Sequence, residues 1–328
     1  MIAFGPVPSR RFGKSIGINN IPPKICTYSC IYCQLGRTHT MKSTRSEFYN
    51  PETIFNDVKK KIQAAEREKE QIDYLTFVPD GEPTLDKNLG KELALLRTLP
   101  LTEKNIKIAV ITNASLLWQN DVLNELSYVD CVSIKIDAVT KKIWQKINRP
   151  QKSLDLTRIL EGITEFSHSF SGDFFTETMI IHDVNDQPSE FEKIADFIQN
   201  IRPKKSFLSI PTRPPAESWV QPASAYALTT AYHIFTAHSI PVEFLIDYEG
   251  NMFGYTGDLE ENLLEITAVH PMRKDGVVEL LQKANESWVV VEKLLKKKKL
   301  MEIEYNNKKY YMRVFPETKK SPKKEPPI

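Results

Sequence analysis

Cysteine is scarce, with four in 328 residues. Cys26, Cys30 and Cys33 fall within one eight-residue loop, while Cys131 sits alone in an apolar stretch. That distribution excludes a dispersed disulfide framework and suits metal binding in a reducing compartment. A strong excess of one charge is also missing. The 44 Lys plus Arg against 42 Asp plus Glu leave a formal charge of +2, too small to make the whole chain a polyanion binder. No apolar run approaches the roughly 20 residues that cross a bilayer. The start, Met1-Ile-Ala-Phe-Gly-Pro6, lacks the charged segment and long apolar stretch of a secretory leader. We therefore expect a cytoplasmic protein without a membrane partner.

What the chain does contain is a repeated alternation. Short, mostly β-branched apolar runs at 15–18, 74–78, 106–111, 131–136, 175–180, 207–210 and 242–246 predict strands. Amphipathic stretches at 51–69, 87–97, 118–126, 154–166, 190–201 and 223–236 predict helices, the first opened by Asn50 and Pro51. Parallel strands with covering helices follow, and this number of units predicts an α/β fold of the partial (β/α) barrel type. Chemistry then belongs on the rim at the carboxyl ends of the strands.

The loop Cys26-Thr-Tyr-Ser-Cys30-Ile-Tyr-Cys33 follows the first strand. Thiolates are soft ligands for iron, and these spacings let one loop wrap one face of a four-iron, four-sulfur cluster. Three ligands leave one iron open, as a cluster that binds a substrate or cofactor requires. A zinc site of the Cys3His type, with His39 downstream, is the structural competitor.

With this spacing and Tyr32 immediately before the last cysteine, the chain resembles the radical S-adenosylmethionine (SAM) enzymes. The resemblance implies a [4Fe-4S] cluster on Cys26, Cys30 and Cys33, SAM chelated at the open iron, and an external low-potential electron donor. It also implies cleavage of SAM to methionine and a 5'-deoxyadenosyl radical. Asp80-Gly81-Glu82-Pro83-Thr84, after the second predicted strand, resembles the family's glycine-glycine-glutamate-proline segment, with Asp80 in place of the first glycine. By the same resemblance Asn113 and Ser133 belong near the carboxylate or ribose of SAM, with Lys135 and Asp137 at the cofactor or the substrate and Tyr32 on the cofactor side; on the fifth predicted strand, Glu177 and Met179 are candidates for the cofactor face. Read from the residues alone, Ser133, Lys135 and Asp137 share one strand face, where such polar groups need partners. Asn113 as an ordinary strand-end turn, Lys135 as a rim ion pair and Met179 as core filler are the structural alternatives.

Arg213, in Pro211-Thr-Arg-Pro-Pro-Ala-Glu217, is the leading candidate for an anionic substrate, with pairing to Glu217 as its alternative. Arg10 and Arg11, in the Gly-, Pro- and Arg-rich start that also holds Lys14, are further substrate candidates. That start, together with Asn148-Arg149-Pro150 and Glu177-Thr-Met179, resembles an uncharacterised subfamily near the wyosine-forming tRNA enzymes. Those enzymes are expected to use two clusters, whereas this chain has no second three-cysteine set.

From Asp258 the pattern changes. Helical stretches at 260–268, 274–284 and 287–298 precede an alternating hairpin turned at Asn306-Asn307, which describes a small winged-helix domain. Trp288 and Val289 to Val291 read as core of its third helix. We expect the barrel with its N-terminal cluster loop over 1–257, the winged helix over 258–315 and a disordered basic, proline-rich tail over 316–328. Lys296 to Lys299, Lys308, Lys309 and Arg313 make tRNA or another RNA one candidate substrate, although the domain's first half is acidic. A protein or small metabolite is the alternative, as is a non-enzymatic iron-sulfur redox or nucleic-acid-binding protein.

Overall fold

Prolines conceal the first strand. In the computed structural model, which describes residues 2–101, 105–246 and 250–314, β1 (Ala3–Ser9) contains two prolines yet pairs antiparallel with β2 (Gly13–Ile18). Proline is tolerated there because β1 is an edge strand and its register breaks between Phe4 and Val7. The expected tail at 316–328 lies outside the described residues.

Beyond β2 come the short strands β3 (Ile25–Cys26) and β4 (Thr40–Met41), then α1 (Pro51–Arg67). Alternation follows through β5 (Tyr74–Phe77), α2 (Leu89–Leu96), β6 (Lys107–Thr112), α3 (Asn120–Leu126), β7 (Cys131–Lys135), α4 (Lys141–Ile147), α5 (Leu156–Ser169) and β8 (Asp173–Met179). It finishes with α6 (Pro188–Ile201), β9 (Lys205–Ser209), α7 (Ala225–Ala237) and β10 (Val242–Leu245). The eight-stranded sheet has the order β1-β2-β5-β6-β7-β8-β9-β10, parallel from β2 onward, and curls into a half-barrel.

Parallel register sorts the side chains into two faces. Leu75, Phe77, Ile108, Val110, Val132 and Ile134 are wholly buried against the helices. Thr76, Ala109, Ile111, Ser133, Lys135 and Glu177 line up across neighbouring strands on the concave face. The helices bury the opposite stripe. In α1, Asn50 caps by accepting from the Glu52 amide at 2.9 Å, and Ile54, Val58, Ile62 and Ala65 recur at helical spacing beneath the surface. Each large aliphatic side chain so buried contributes about 1.5–3 kcal/mol.

The last part of the chain forms α8 (Leu259–Val269), β11 (Met272–Arg273), α9 (Lys274–Lys283), α10 (Val289–Lys296), β12 (Leu300–Tyr305) and β13 (Lys308–Arg313). Its three strands pair in the order β11-β13-β12, and Asn306 and Asn307 both take left-handed φ in the hairpin turn. Val291 and Leu294 enter its core, but Val289 is 64% exposed. The apolar run is longer than the one helix face it serves. This unit shares its core with Phe4 and Val7 of β1. It is fixed to α1 by the buried Lys61–Glu265 ion pair at 2.6 Å. Tyr305 and Tyr310 donate to the Pro211 and Thr212 carbonyls after β9 at 3.1 and 2.8 Å. Among the described residues, no helix is long and apolar enough to cross a membrane.

Candidate active site

The cysteine loop leaves the rim end of β2 and is gripped from several sides. Ile25 bridges to Gly81, the Ser29 and Ile31 amides donate to the Asn148 and Ile147 carbonyls at 3.0 and 2.9 Å, and Glu217 N donates to Ile31 O at 3.1 Å. Glu217 also accepts from Arg37 Nε at 2.7 Å and Arg149 Nη1 at 2.5 Å. Hydrogen bonds from Arg37 and Arg149 outweigh burial and lower its carboxyl to about 2. The carboxylate thus ties the cluster loop, the segment after α4 and the segment after β9 together, and Arg213 pairs elsewhere.

Donors face all three sulfurs, the Leu35 amide serving Cys33. Asn113 Nδ2 lies 3.6 Å and Tyr28 N 3.5 Å from Cys26 Sγ, and Asn148 Nδ2 lies 3.4 Å from Cys30 Sγ. Burial raises all three thiols. Cys30 reaches about 12, with Asp137 adding to the effect, and Glu82 adds to that of Cys26. Partly buried cysteines with amide donors aimed at their sulfurs suit anionic sulfur held on a metal centre, since desolvation alone leaves the thiols protonated. The sulfurs are not all within 4.8 Å of one another, and His39 joins no compact ligand set. Four ligands about 2.3 Å from one tetrahedral zinc would lie about 3.8 Å apart. The three cysteines with His39 are therefore not a compact tetrahedral zinc set.

Around this loop the strand ends supply the remaining groups. Glu82 is buried and accepts from Thr84 N at 3.2 Å, Thr84 Oγ1 and Thr112 Oγ1 at 2.6 Å each, and Asn113 N at 2.8 Å. Burial nevertheless raises its carboxyl, against the pull of those bonds. Pro83 and Thr84 are buried behind it, Pro83 accepting from Asn20. Asp80 faces Lys24 of the cluster loop at 3.6 Å, and burial raises it to about 6 even beside that cation. Asp137 accepts from the Tyr32 hydroxyl, from Asn148 Nδ2 at 2.7 Å and from Met179 N at 3.0 Å. Ser133 is fully buried on the concave face, and its Oγ has no hydrogen-bond partner. A bound polar molecule would relieve that cost.

Farther into the half-barrel Lys135 lies over the Tyr32 ring and pairs with Glu177 at 3.1 Å, while Ser209 Oγ donates to Glu177 at 2.9 Å. Arg11 forms a second ion pair with Glu177. Burial pushes that carboxyl up, but Arg11 and Lys135 more than reverse this and hold it well below the usual carboxylate range. Met179 is partly buried, with its sulfur 3.7 Å from Ser209 Oγ. Lys14 turns away to pair with Glu70.

At the distal end Arg10, Arg11 and Arg213 line one cavity with Gln34, Thr76 and His270. The sequence brought the three arginines forward; Gln34, Thr76, His270 and the donor role of Asn148 were not foreseen. Only Asn148 stood in a noticed motif, Asn-Arg-Pro. Cys131 begins β7, at the opposite end from the rim, packed against Phe12.

Residues 20–198 match the model of the radical SAM superfamily. The chain is 46% identical over 314 residues to the UPF0026 protein MJ1312 of Methanocaldococcus jannaschii, covering 95% of this chain and 96% of that one. It is similar in fold to a radical SAM methyltransferase from Sphaerobacter thermophilus, with a TM-score of 0.53 and 13% identity over 71% of this chain and 66% of that one. Streptococcus suis SuiB bound to S-adenosylmethionine is similar too, with a TM-score of 0.50 and 11% identity over 70% and 49% of the two chains.

Proposed function

Because the chain belongs to the radical SAM superfamily and to the UPF0026 proteins, and is therefore an enzyme that uses a [4Fe-4S] cluster and SAM, we propose how its own residues divide that work. Cys26, Cys30 and Cys33 hold the cluster. When bound, the cluster and SAM supply reductive cleavage of SAM to methionine and a 5'-deoxyadenosyl radical, the electron coming from an external low-potential donor. Asn113 and Asn148 stabilise the anionic sulfurs through their side-chain amides. Gly81 allows the backbone approach that the cysteine loop needs, and Glu82 fixes Asn113 through its amide. Ser133, with its unsatisfied buried hydroxyl, is the clearest hydrogen-bonding position for SAM. Tyr32, Lys135, Asp137 and Met179 form the wall beside it, while Pro83 and Thr84 support Glu82 from behind. Arg10, Arg11 and Arg213 face the substrate. Enclosure by the concave face keeps water and reductant from quenching a radical.

The single observation carrying this reading is the donor-lined set of three cysteine sulfurs on one loop at the strand ends. Anaerobic reconstitution with iron and sulfide, reduction and addition of SAM should yield 5'-deoxyadenosine. A fully loaded cluster whose reduced EPR spectrum ignores SAM, with no 5'-deoxyadenosine formed, would overturn it.

A second reading, RNA modification near the wyosine-forming enzymes, is favoured by the exposed Lys296, Lys297, Lys298 and Lys308. We take the C-terminal unit, with its helix-strand-helix-helix-hairpin order, as a winged helix that presents them. The patch is weaker than its sequence, since Lys299 pairs with Glu260 and Lys309 with Glu302. A tRNA titration across a salt series should show affinity falling steeply with salt; no binding even at low salt would sink the RNA reading.

A further inference from the structure

Three donors converge on the two oxygens of the buried Asp137 carboxylate, just past the end of β7. The Tyr32 hydroxyl and Asn148 Nδ2 donate to Oδ2, the latter at 2.7 Å, and Met179 N donates to Oδ1 at 3.0 Å. The backbone here is fixed as firmly. Asn185, wholly buried, donates through Nδ2 to the carbonyls of Asp137 at 2.9 Å and Met179 at 2.8 Å, and its Oδ1 accepts from Ile181 N at 2.8 Å. Ile136 N donates to Glu177 O at 2.9 Å on the strand beside it. An amide in place of the carboxylate could not serve all three donors, because one of its two ends is itself a donor.

Asn148 stands between that carboxylate and the cysteine loop. Its N–H closes α4 on Trp144 O at 2.9 Å, its carbonyl accepts from Ser29 N at 3.0 Å, and Arg149 after it turns the chain at a φ of +46°. The side-chain nitrogen carries two N–H groups. It lies 2.7 Å from Asp137 Oδ2 and 3.4 Å from Cys30 Sγ. An asparagine side chain can present either its oxygen or its nitrogen, and an oxygen facing an anionic sulfur would be repelled. Pairing with a carboxylate decides the choice, since only the nitrogen can face Asp137. The same nitrogen then has an N–H for Cys30.

We propose that Asp137 is a positioning residue for the iron-sulfur cluster: its carboxylate holds the Asn148 amide with N–H toward Cys30 Sγ, and the two together set the potential at which the cluster takes its electron. This role rests on Cys30 holding the cluster, as read above, and it requires no contact between Asp137 and SAM. A hydrogen bond to a ligating sulfur draws electron density from it, which favours the reduced cluster and raises the potential. The charge of Asp137 acts the other way through space, disfavouring an added electron. The two routes differ in sign and in their need for Asn148, so they can be separated.

The test is a redox titration of the full-length enzyme, reconstituted anaerobically with iron and sulfide and followed by EPR of the reduced cluster without SAM, with iron content and thermal midpoint measured on every variant. Asn148→Leu keeps roughly the side-chain volume and removes the donor. It should lower the midpoint potential, changing the ratio of reduced to oxidised cluster about 3- to 10-fold at a fixed applied potential, tenfold being about 59 mV for one electron. Asp137→Asn loses the charge in any background but loses the aim of the amide only where Asn148 is present. Its shift should therefore be more positive in Asn148→Leu than in the wild type. Asn148→Ala and Asp137→Ala make the same deletions with less bulk and serve where a first choice does not fold. Equal shifts from Asp137→Asn in the two backgrounds would mean that the carboxylate acts by charge alone, and would overturn the proposal. So would a potential unchanged by loss of the Asn148 amide in a fully loaded cluster. A wild-type chain that takes up no cluster would retire the ligand reading and this role with it. Coupled shifts in a cluster whose EPR spectrum ignores SAM would retire SAM cleavage and leave the positioning role standing.

Discussion

Replacement of Cys30 by alanine is expected to reduce 5'-deoxyadenosine formation to background, a loss on the order of a thousand-fold or more, equivalent to about 4 kcal/mol of activation free energy. The change removes one of three thiolates but little packing, since Cys30 is only partly buried. Asn148 loses its sulfur at 3.4 Å yet keeps Asp137 at 2.7 Å, so the segment after α4 stays anchored. Folding stability should therefore change by about 1 kcal/mol or less. Cys131→Ala supplies the contrast. Cys131 is wholly buried against Phe12, Ala109 and Phe175, far from the loop at the other end of β7. Its truncation should cost about 1 kcal/mol of stability through the cavity it leaves, with iron content and product retained. Iron analysis, thermal denaturation and product chromatography on both variants decide the matter. Cleavage at the wild-type rate by Cys30→Ala would contradict the ligand assignment.

That contrast shows what a sequence can carry. The three ligands are legible because they are local, spaced within a single loop. The parallel strands are legible because each is a short buried run with its own helix. β1 is not, because Gly5-Pro6 and Pro8 break every strand pattern, and only its antiparallel pairing at the sheet edge makes room for them. The small ladder of β3 and β4 is two residues on each side and leaves no periodic trace. The helix α4 escaped as well, being a seven-residue segment between two loops.

Partnerships across long separations were hidden for a different reason. Arg213 and Glu217 stand four apart and suggest a pair, but the segment after β9 turns them to different neighbours. Glu217 meets Arg37 and Arg149, and Arg213 meets Gln34 and His270. Nothing in the local pattern says that a histidine more than fifty residues later will roof the same cavity. Likewise the period of two places Ser133 and Lys135 on one face, yet only the register of β7 with β8 sets Lys135 against Glu177. The buried Glu177 carboxylate there is satisfied by Arg11, Lys135 and Ser209, while Ser133 and Thr76 are left with open hydroxyls. The distinction between a paired polar group and an unpaired one is what separates scaffold from binding surface.

Gly81→Ala should be nearly as damaging as loss of a ligand, for a steric reason. Gly81 has no left-handed φ; its need for hydrogen comes from proximity. A Cβ there would stand 1.9 Å from the Ile25 carbonyl oxygen and 3.0 Å from its carbon, and backbone atoms cannot swing aside as a side chain does. Ile25 directly precedes Cys26, and Glu82 N donates to that same Ile25 oxygen at 3.3 Å. Relief of the clash must separate the cysteine loop from the segment that carries Glu82. Overpacking of this kind costs about 1–3 kcal/mol, and a displacement of about 1 Å at a reacting centre costs roughly 100-fold in rate. We expect a melting point several degrees lower, by about 2–4 °C for each kcal/mol lost, with 5'-deoxyadenosine formation reduced about 100-fold even after full reconstitution. Gly36→Ala separates the two causes. Gly36 lies in the same loop at φ +82°, and an added Cβ meets nothing nearer than Lys24 Nζ at 3.7 Å. Its penalty is conformational, about 1–2 kcal/mol, and product formation should survive wherever the protein is folded. Equal activity loss in the two variants, once corrected for folded fraction, would mean that loop strain in general, and not the Ile25–Gly81 approach, controls the site.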